Sequence, residues 1–103
     1  LMSELFDPVG LEKAQTLIKS MNNQNRLLVL CLLCDGPRTV TEMSEAVGLS
    51  LSAMSQHLTV LKAADLIEGK KSSQTITYRL KTDDVQQVIA LFKQLYCDEE
   101  TND

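Results

Sequence analysis

The 103-residue chain has no tryptophan, two prolines, four glycines and a single histidine, His57. One imidazole without partners cannot make a zinc site, which draws four ligands from Cys, His and carboxylate. No apolar run approaches the ~18 residues that a bilayer crossing needs, so no membrane partner is expected. The N-terminal stretch LMSELFDPVG lacks a basic segment followed by an apolar core. No secretion signal is expected, and a cytoplasmic location is. Repeats and low-complexity segments are also missing. Three cysteines are an odd number. They cannot all pair within one chain, and a reducing cytosol keeps thiols free, so no permanent structural disulfide is expected. Packing, soft-metal binding and redox chemistry remain open to them.

The chain carries 14 acidic against 10 basic side chains, a formal net charge of −4. The excess is uneven. Residues 38–79 hold five basic groups (Arg38, Lys62, Lys70, Lys71, Arg79) and four acidic ones, while residues 80–103 hold two basic and six acidic. An acidic total weighs against nucleic-acid binding, but phosphate is met by one face of a protein, so the local balance decides.

What is present is helical periodicity. Leu11, Ala14, Leu17, Ile18 and Met21 share one stripe, which predicts an amphipathic helix over about 9–21. A second helix, about 24–34, is apolar nearly all round, which predicts burial on most sides. Gly36 and Pro37 end it. Thr39 and Glu42 form a capping-box pattern at the start of a short helix to about Val47. Gly48 breaks that helix, and Ser50 caps the next one, which ends near Ala64. A helix, a short glycine turn and a helix make a helix-turn-helix over about 39–64.

A strand-like pair over about 66–80 follows, with Ile76, Tyr78 and Leu80 alternating against Thr75, Thr77 and Arg79. The last segment, about 82–97, places Val85, Val88, Ile89, Phe92, Leu95 and Tyr96 on one stripe. The expected fold is one mainly α domain over 1–103 with a small β-hairpin, a winged helix-turn-helix of order ααααββα. The first and last helices carry long apolar stripes that could cover each other within one chain or join those of a second subunit; so small a core cannot hide both, which favours a homodimer through these two helices.

On the helix from Ser50, the face opposite Met54, Leu58 and Leu61 shows Ser52, Gln56, Thr59 and Ala63, with Ala53 and Ser55 at its margins. Short hydroxyls and an amide in the first turns suit a helix whose N-terminal half enters a major groove. Gln56 can hold adenine through two hydrogen bonds. The plainer alternative is a solvated helix face. His57 is expected beside the interface rather than on a metal. Lys70, Lys71 and Gln74 on the hairpin would reach flanking backbone or minor groove, and Arg26 and Arg38 could meet phosphates.

The stretch VTEMSEAVGLSLSAMSQHLTVLKAADLIEGKKSSQTITYRL resembles the core of the ArsR/SmtB family of bacterial repressors. Its most specific part is LS-x-S-x-x-SQHL-x-x-L, Leu49 to Leu61. The resemblance covers about 11 to 97. It implies a homodimer on a palindromic operator in double-stranded DNA, released when a chemical signal arrives, with no enzymatic activity.

Two metal patterns of that family are incomplete here. The first helix of the helix-turn-helix has no thiol, and the last helix has Asp84 but Gln86 where a ligand His would be wanted. No metal and no cofactor is expected. The stretches RLLVLCLL, Arg26 to Leu33, and LYC, Leu95 to Cys97, instead resemble the HlyU/BigR-type dithiol subgroup. That likeness implies that Cys31 and Cys97 face each other and are bridged by reactive sulfur species or oxidants, directly or through inserted sulfur.

Asp98, Glu99 and Glu100 should hinder ionisation of Cys97, so Cys31 is expected to react first. Cys34 is expected as a small core residue, with a third-thiol role as the other option. Three rivals stand beside this reading. One is a soft-metal or arsenite sensor using Cys31, Cys34 and Cys97. Another is a protein-binding winged helix. The third is a thiol oxidoreductase built on Cys31-x-x-Cys34, disfavoured because that pair closes a helix instead of opening one.

Overall fold

The structure, a computed structural model, describes residues 2–97. Six helices and three strands run in the order α1 (Met2–Leu5), α2 (Pro8–Met21), α3 (Gln24–Cys34), β1 (Arg38–Thr39), α4 (Val40–Val47), α5 (Leu51–Ala63), β2 (Ile67–Ser72), β3 (Thr75–Leu80) and α6 (Asp83–Tyr96). Local chemistry starts most of the helices. The Asp7 carboxylate accepts from Gly10 N at 2.8 Å, and Pro8 occupies a position that has no helical partner to donate to. Asn23 accepts from Asn25 N and Arg26 N, both at 3.0 Å.

Thr39 and Glu42 form the expected reciprocal box: Glu42 N donates to Thr39 Oγ1 at 3.1 Å, and Thr39 N donates to Glu42 Oε1 at 2.8 Å. Gly48 closes α4 at φ 84°, a left-handed position where a side chain would be strained. Ser50 Oγ accepts from Ala53 N at 3.1 Å and opens α5.

The sheet has strand order β1-β3-β2, antiparallel throughout. Ser72 faces Thr75, so the wing turns on two residues, Ser73 and Gln74. Ser73 takes φ 59°, the left-handed value that such turns favour and usually give to glycine or asparagine. The helix α1 and the strand β1 add to the expected order. The strand consists of two residues whose partners, Tyr78 and Thr77, lie far along the chain. Nothing in its local pattern distinguishes it from loop.

Val29, Leu30 and Leu33 of α3 form the centre of the core with Met43, Met54, Leu58, Leu61, Tyr78, Val85 and Ile89. Every apolar residue of α3 except Leu28 is buried or half-buried. Gly69 lets the Tyr78 ring lie over β2, because a Cβ there would stand 2.8 Å from Tyr78 Cε1. The Lys62 ammonium caps that ring at 5.9 Å from its centroid. Arg26 is partly committed within the chain. Its Nε donates to Ser20 O at 2.7 Å and its Nη2 to Lys19 O at 3.3 Å, clamping the end of α2.

The outer helices are covered on one side only. On α6, Val85 and Ile89 are buried, while Phe92, Leu95 and Tyr96 are 37%, 59% and 81% exposed. On α2, Val9 and Ile18 stand in the open. Between the two helices lies an apolar groove of about 420 Å³, bordered by Leu17, Ile18, Met21, Leu27, Val88 and Phe92. No described helix is long and apolar enough to cross a membrane.

Candidate nucleic-acid interface and thiol site

Helix α5 divides cleanly. Met54, Leu58 and Leu61 are buried, whereas Ser52, Ser55, Gln56 and Thr59 are exposed and Ala53 and His57 are half-buried at the margins. Two of these hydroxyls already have partners. Ser50 Oγ serves as the cap of α5, and Thr59 Oγ1 donates to Ser55 O at 2.9 Å, which leaves Thr59 only acceptor capacity outward. Gln56 has no partner among the described hydrogen bonds, so its amide can take up a base edge without breaking anything.

Leu51 and Val60 are large apolar side chains exposed on the same helix. Sequence reasoning passed over both. The signal was there: apolar residues outside the Met54, Leu58, Leu61 stripe, with Leu51 in the first turn, where a thymine methyl is the natural apolar contact in a major groove.

Lys70, Lys71 and Gln74 are exposed on the wing. Consecutive strand residues face opposite sides, so Lys70 and Lys71 cannot both meet one surface. Arg38 is partly engaged, its Nη1 donating to Gly36 O at 3.1 Å and Pro37 O at 3.0 Å.

The thiols gather where α3 meets α6. Cys31 and Cys34 are half-buried on α3, and Cys97 is exposed just past the end of α6. Burial pushes the Cys31 thiol up from its ordinary value. Lys93 opposes this, while Cys97 and Asp35 add to it. Burial also pushes the Cys34 thiol up, and the neighbouring Cys31 charge adds to that. Charge on Cys97 therefore acts on Cys31, and charge on Cys31 acts on Cys34. The Gln86 amide, Nε2, ties α6 to Cys34 O at 3.3 Å.

The expectation that Cys31 reacts first drew on Asp98, Glu99 and Glu100, which lie outside the described residues. Within them, burial works against Cys31 and Lys93 works for it. Lys93 was missed in the sequence reading, although its spacing four residues before Cys97 puts the two on one helix face.

Cys31 also borders a cavity of about 250 Å³ shared with Leu28, Leu32, Asp35, Lys93 and, from α4, Ala46 and Val47. Among the described residues, no three His, Cys, Asp or Glu side chains converge as a metal would require. The soft-metal alternative on Cys31, Cys34 and Cys97 gains no support from the geometry.

A family profile described as "Bacterial regulatory protein, arsR family" matches residues 23–69. The transcriptional activator HlyU of Vibrio cholerae is 42% identical over 85 residues, covering 82% of this chain and 79% of the relative. A solved structure titled reduced HlyU from the same organism superposes with a TM-score of 0.80 at 41% identity, covering 84% of this chain and 92% of that one. A homodimeric winged helix-turn-helix DNA-binding domain from Mycobacterium bovis superposes with a TM-score of 0.77 at 28% identity, covering 90% and 86%.

Proposed function

Because the chain belongs to the ArsR family of DNA-binding bacterial transcriptional regulators, we propose that it acts as a homodimer on a palindromic operator and that joining Cys31 to Cys97 lowers its affinity for that operator. The carrying observation is the packing of α6 on α3, which sets Cys97 at the end of α6 near enough for its charge to raise the Cys31 thiol. Dimerisation is supported by the unpartnered apolar face of α2 and α6 and by a structural neighbour titled as homodimeric. A thiol switch is in keeping with a relative whose solved form is titled as reduced.

The DNA-reading set is Ser52, Ala53, Ser55, Gln56, His57 and Thr59, with Ser50 at the helix start, where phosphate is favoured. Gln74 of the wing turn flanks it, with one of Lys70 and Lys71 on the same side and the other on the opposite face of the strand. In a two-fold dimer the two α5 helices must lie about 34 Å apart to meet successive major grooves. The Cys31 cavity touches Ala46 and Val47 at the end of α4. Sulfur added at Cys31 therefore sits between the end of α4 and α6, where a bridge to Cys97 can shift one against the other.

The chemistry balances with a hydropolysulfide as oxidant. A thiolate attacks its terminal sulfur, a new S–S bond forms at the cysteine, the donor's own S–S bond breaks, and the electron pair leaves with the shortened polysulfide. The second thiolate then attacks the cysteine sulfur of the persulfide and displaces hydrosulfide. The two thiols lose their protons to solvent and give up two electrons, which the delivered sulfur carries off.

The test is operator binding by reduced and polysulfide-treated protein, with intact mass measured on the same samples. A change of about 2.7 kcal/mol, a hundredfold weakening, accompanies the bridge in wild type and vanishes in Cys97→Ser. Equal operator affinity of bridged and free protein would sink the reading.

A further inference from the structure

The cavity beside Cys31 has one cationic side chain in its lining, Lys93 of α6, and otherwise apolar walls from Leu28, Leu32, Ala46 and Val47, with Asp35 as the opposing charge. Its volume of about 250 Å³ is the share of roughly eight water molecules. That is room for a short chain of atoms and too little for a macromolecule. We propose that this cavity is the entry site for anionic sulfur donors, hydropolysulfides or organic persulfides, and that Lys93 selects them by charge and delivers them to Cys31.

This inference rests on the dithiol reading and names its substrate class. Three observations carry it. The cavity is open space with the Cys31 thiol in its wall, so a donor can reach sulfur without unfolding α3. Among the charges acting on Cys31, Lys93 alone favours negative charge at the sulfur, while Cys97 and Asp35 oppose it, so Lys93 is the group in this wall that an incoming anion can pair with. Apart from Asp35, the remaining wall is apolar, which suits polarisable sulfur.

The step itself develops negative charge on the departing sulfur. The Cys31 thiolate bonds to the donor's terminal sulfur, and the broken S–S bond leaves its electron pair on the shortened polysulfide. An ammonium facing that site stabilises both the arriving and the leaving anion. A neutral oxidant such as peroxide gains no charge-based help on arrival. Lys93 is thus a specificity-determining residue on a helix otherwise concerned with packing.

The experiment compares three small thiosulfonates that react with a thiolate by the same displacement of methanesulfinate but transfer groups of different charge: sulfonatoethyl, trimethylammonioethyl and plain methyl methanethiosulfonate. Rates are read at Cys31 in a Cys34→Ser, Cys97→Ser background without DNA, with circular dichroism confirming the fold of each variant. Lys93→Gln is expected to cut the anionic-to-cationic rate ratio about tenfold, Lys93→Arg to hold it, and Lys93→Glu to invert the preference. The ratio cancels any change in thiolate fraction, because all reagents meet the same thiol.

Sodium tetrasulfide should slow in parallel with the anionic thiosulfonate. A ratio unchanged in Lys93→Gln, or a tetrasulfide rate indifferent to Lys93, overturns the inference. Failure of the switch appears elsewhere, as operator affinity that ignores the sulfur bridge while these rates behave as expected.

Discussion

The α4–α5 pair and the α2–α6 pair are both built of amphipathic helices, yet they end in opposite conditions. In α5 the apolar stripe of Met54, Leu58 and Leu61 is wholly inside, and the residues left outside are mostly small and polar. In α6 the stripe begins inside with Val85 and Ile89 and runs out into solvent with Phe92, Leu95 and Tyr96. The first pair is complete within one chain. The second is half of something, its uncovered surface continuous with the groove along α2. A helix whose apolar face is satisfied can present its other face to a ligand. A helix whose apolar face is unsatisfied calls for a second copy.

The contrast can be broken most severely in the finished half. Leu58→Ala removes a buried side chain from the centre of the core and should cost about 3 kcal/mol. Urea denaturation should show the same loss at low and high protein concentration. A loss that varied with concentration would mean that α5 also depends on the partner.

In the unfinished half, Phe92→Asp should weaken dimerisation about a hundredfold, or ~2.7 kcal/mol. Sedimentation should then show a monomer that keeps its helical circular dichroism. An unchanged dimer would mean that the apolar face of α6 has another purpose.

On the reading face, Gln56→Ala should leave stability within about 0.5 kcal/mol. It should cost about 1–3 kcal/mol in operator affinity, lost at one base pair and not uniformly. Uniform loss across sequences would assign Gln56 to backbone positioning instead.

The smallest effect lies at the capping box. The Thr39 backbone N–H and then its hydroxyl hold the Glu42 carboxyl below the usual carboxylate range. A group with a depressed folded value stabilises above its unfolded value and loses that stabilisation as pH falls through the folded one. Glu42→Gln should therefore flatten the acid limb of a stability–pH profile slightly and change nothing at neutral pH beyond the loss of the charged cap. An unaltered acid limb would remove Glu42 from the acid response.

The pieces of the fold that could be read from sequence are those fixed by neighbours along the chain. The box at Thr39 and Glu42, the break at Gly48 and the Ser50 cap are local chemistry, and the structure contains each of them; the alternation along β3 holds at Tyr78 and Leu80 but leaves Ile76 exposed. What escaped depends on distant partners. β1 exists because β3 pairs with it. Arg26 clamps the end of α2 because the carbonyls there lie within its reach.

The same division runs through the thiol site. The cysteines could be named from their positions, but the presence of Lys93 and Asp35 around Cys31 follows from how α6 crosses α3 and from the turn after it. Leu51 lies outside the Met54, Leu58, Leu61 stripe in the sequence, and that offset alone marks it as exposed beside the polar face.

Thr39 sits in two structures at once, paired with Thr77 in the sheet and capping α4. The wing is thereby riveted to the front of the helix-turn-helix. Tilting one drags the other, and each copy of the chain meets its ligand as a single stiff jaw. Two such jaws hinged at α2 and α6 can change their gape without changing their bite.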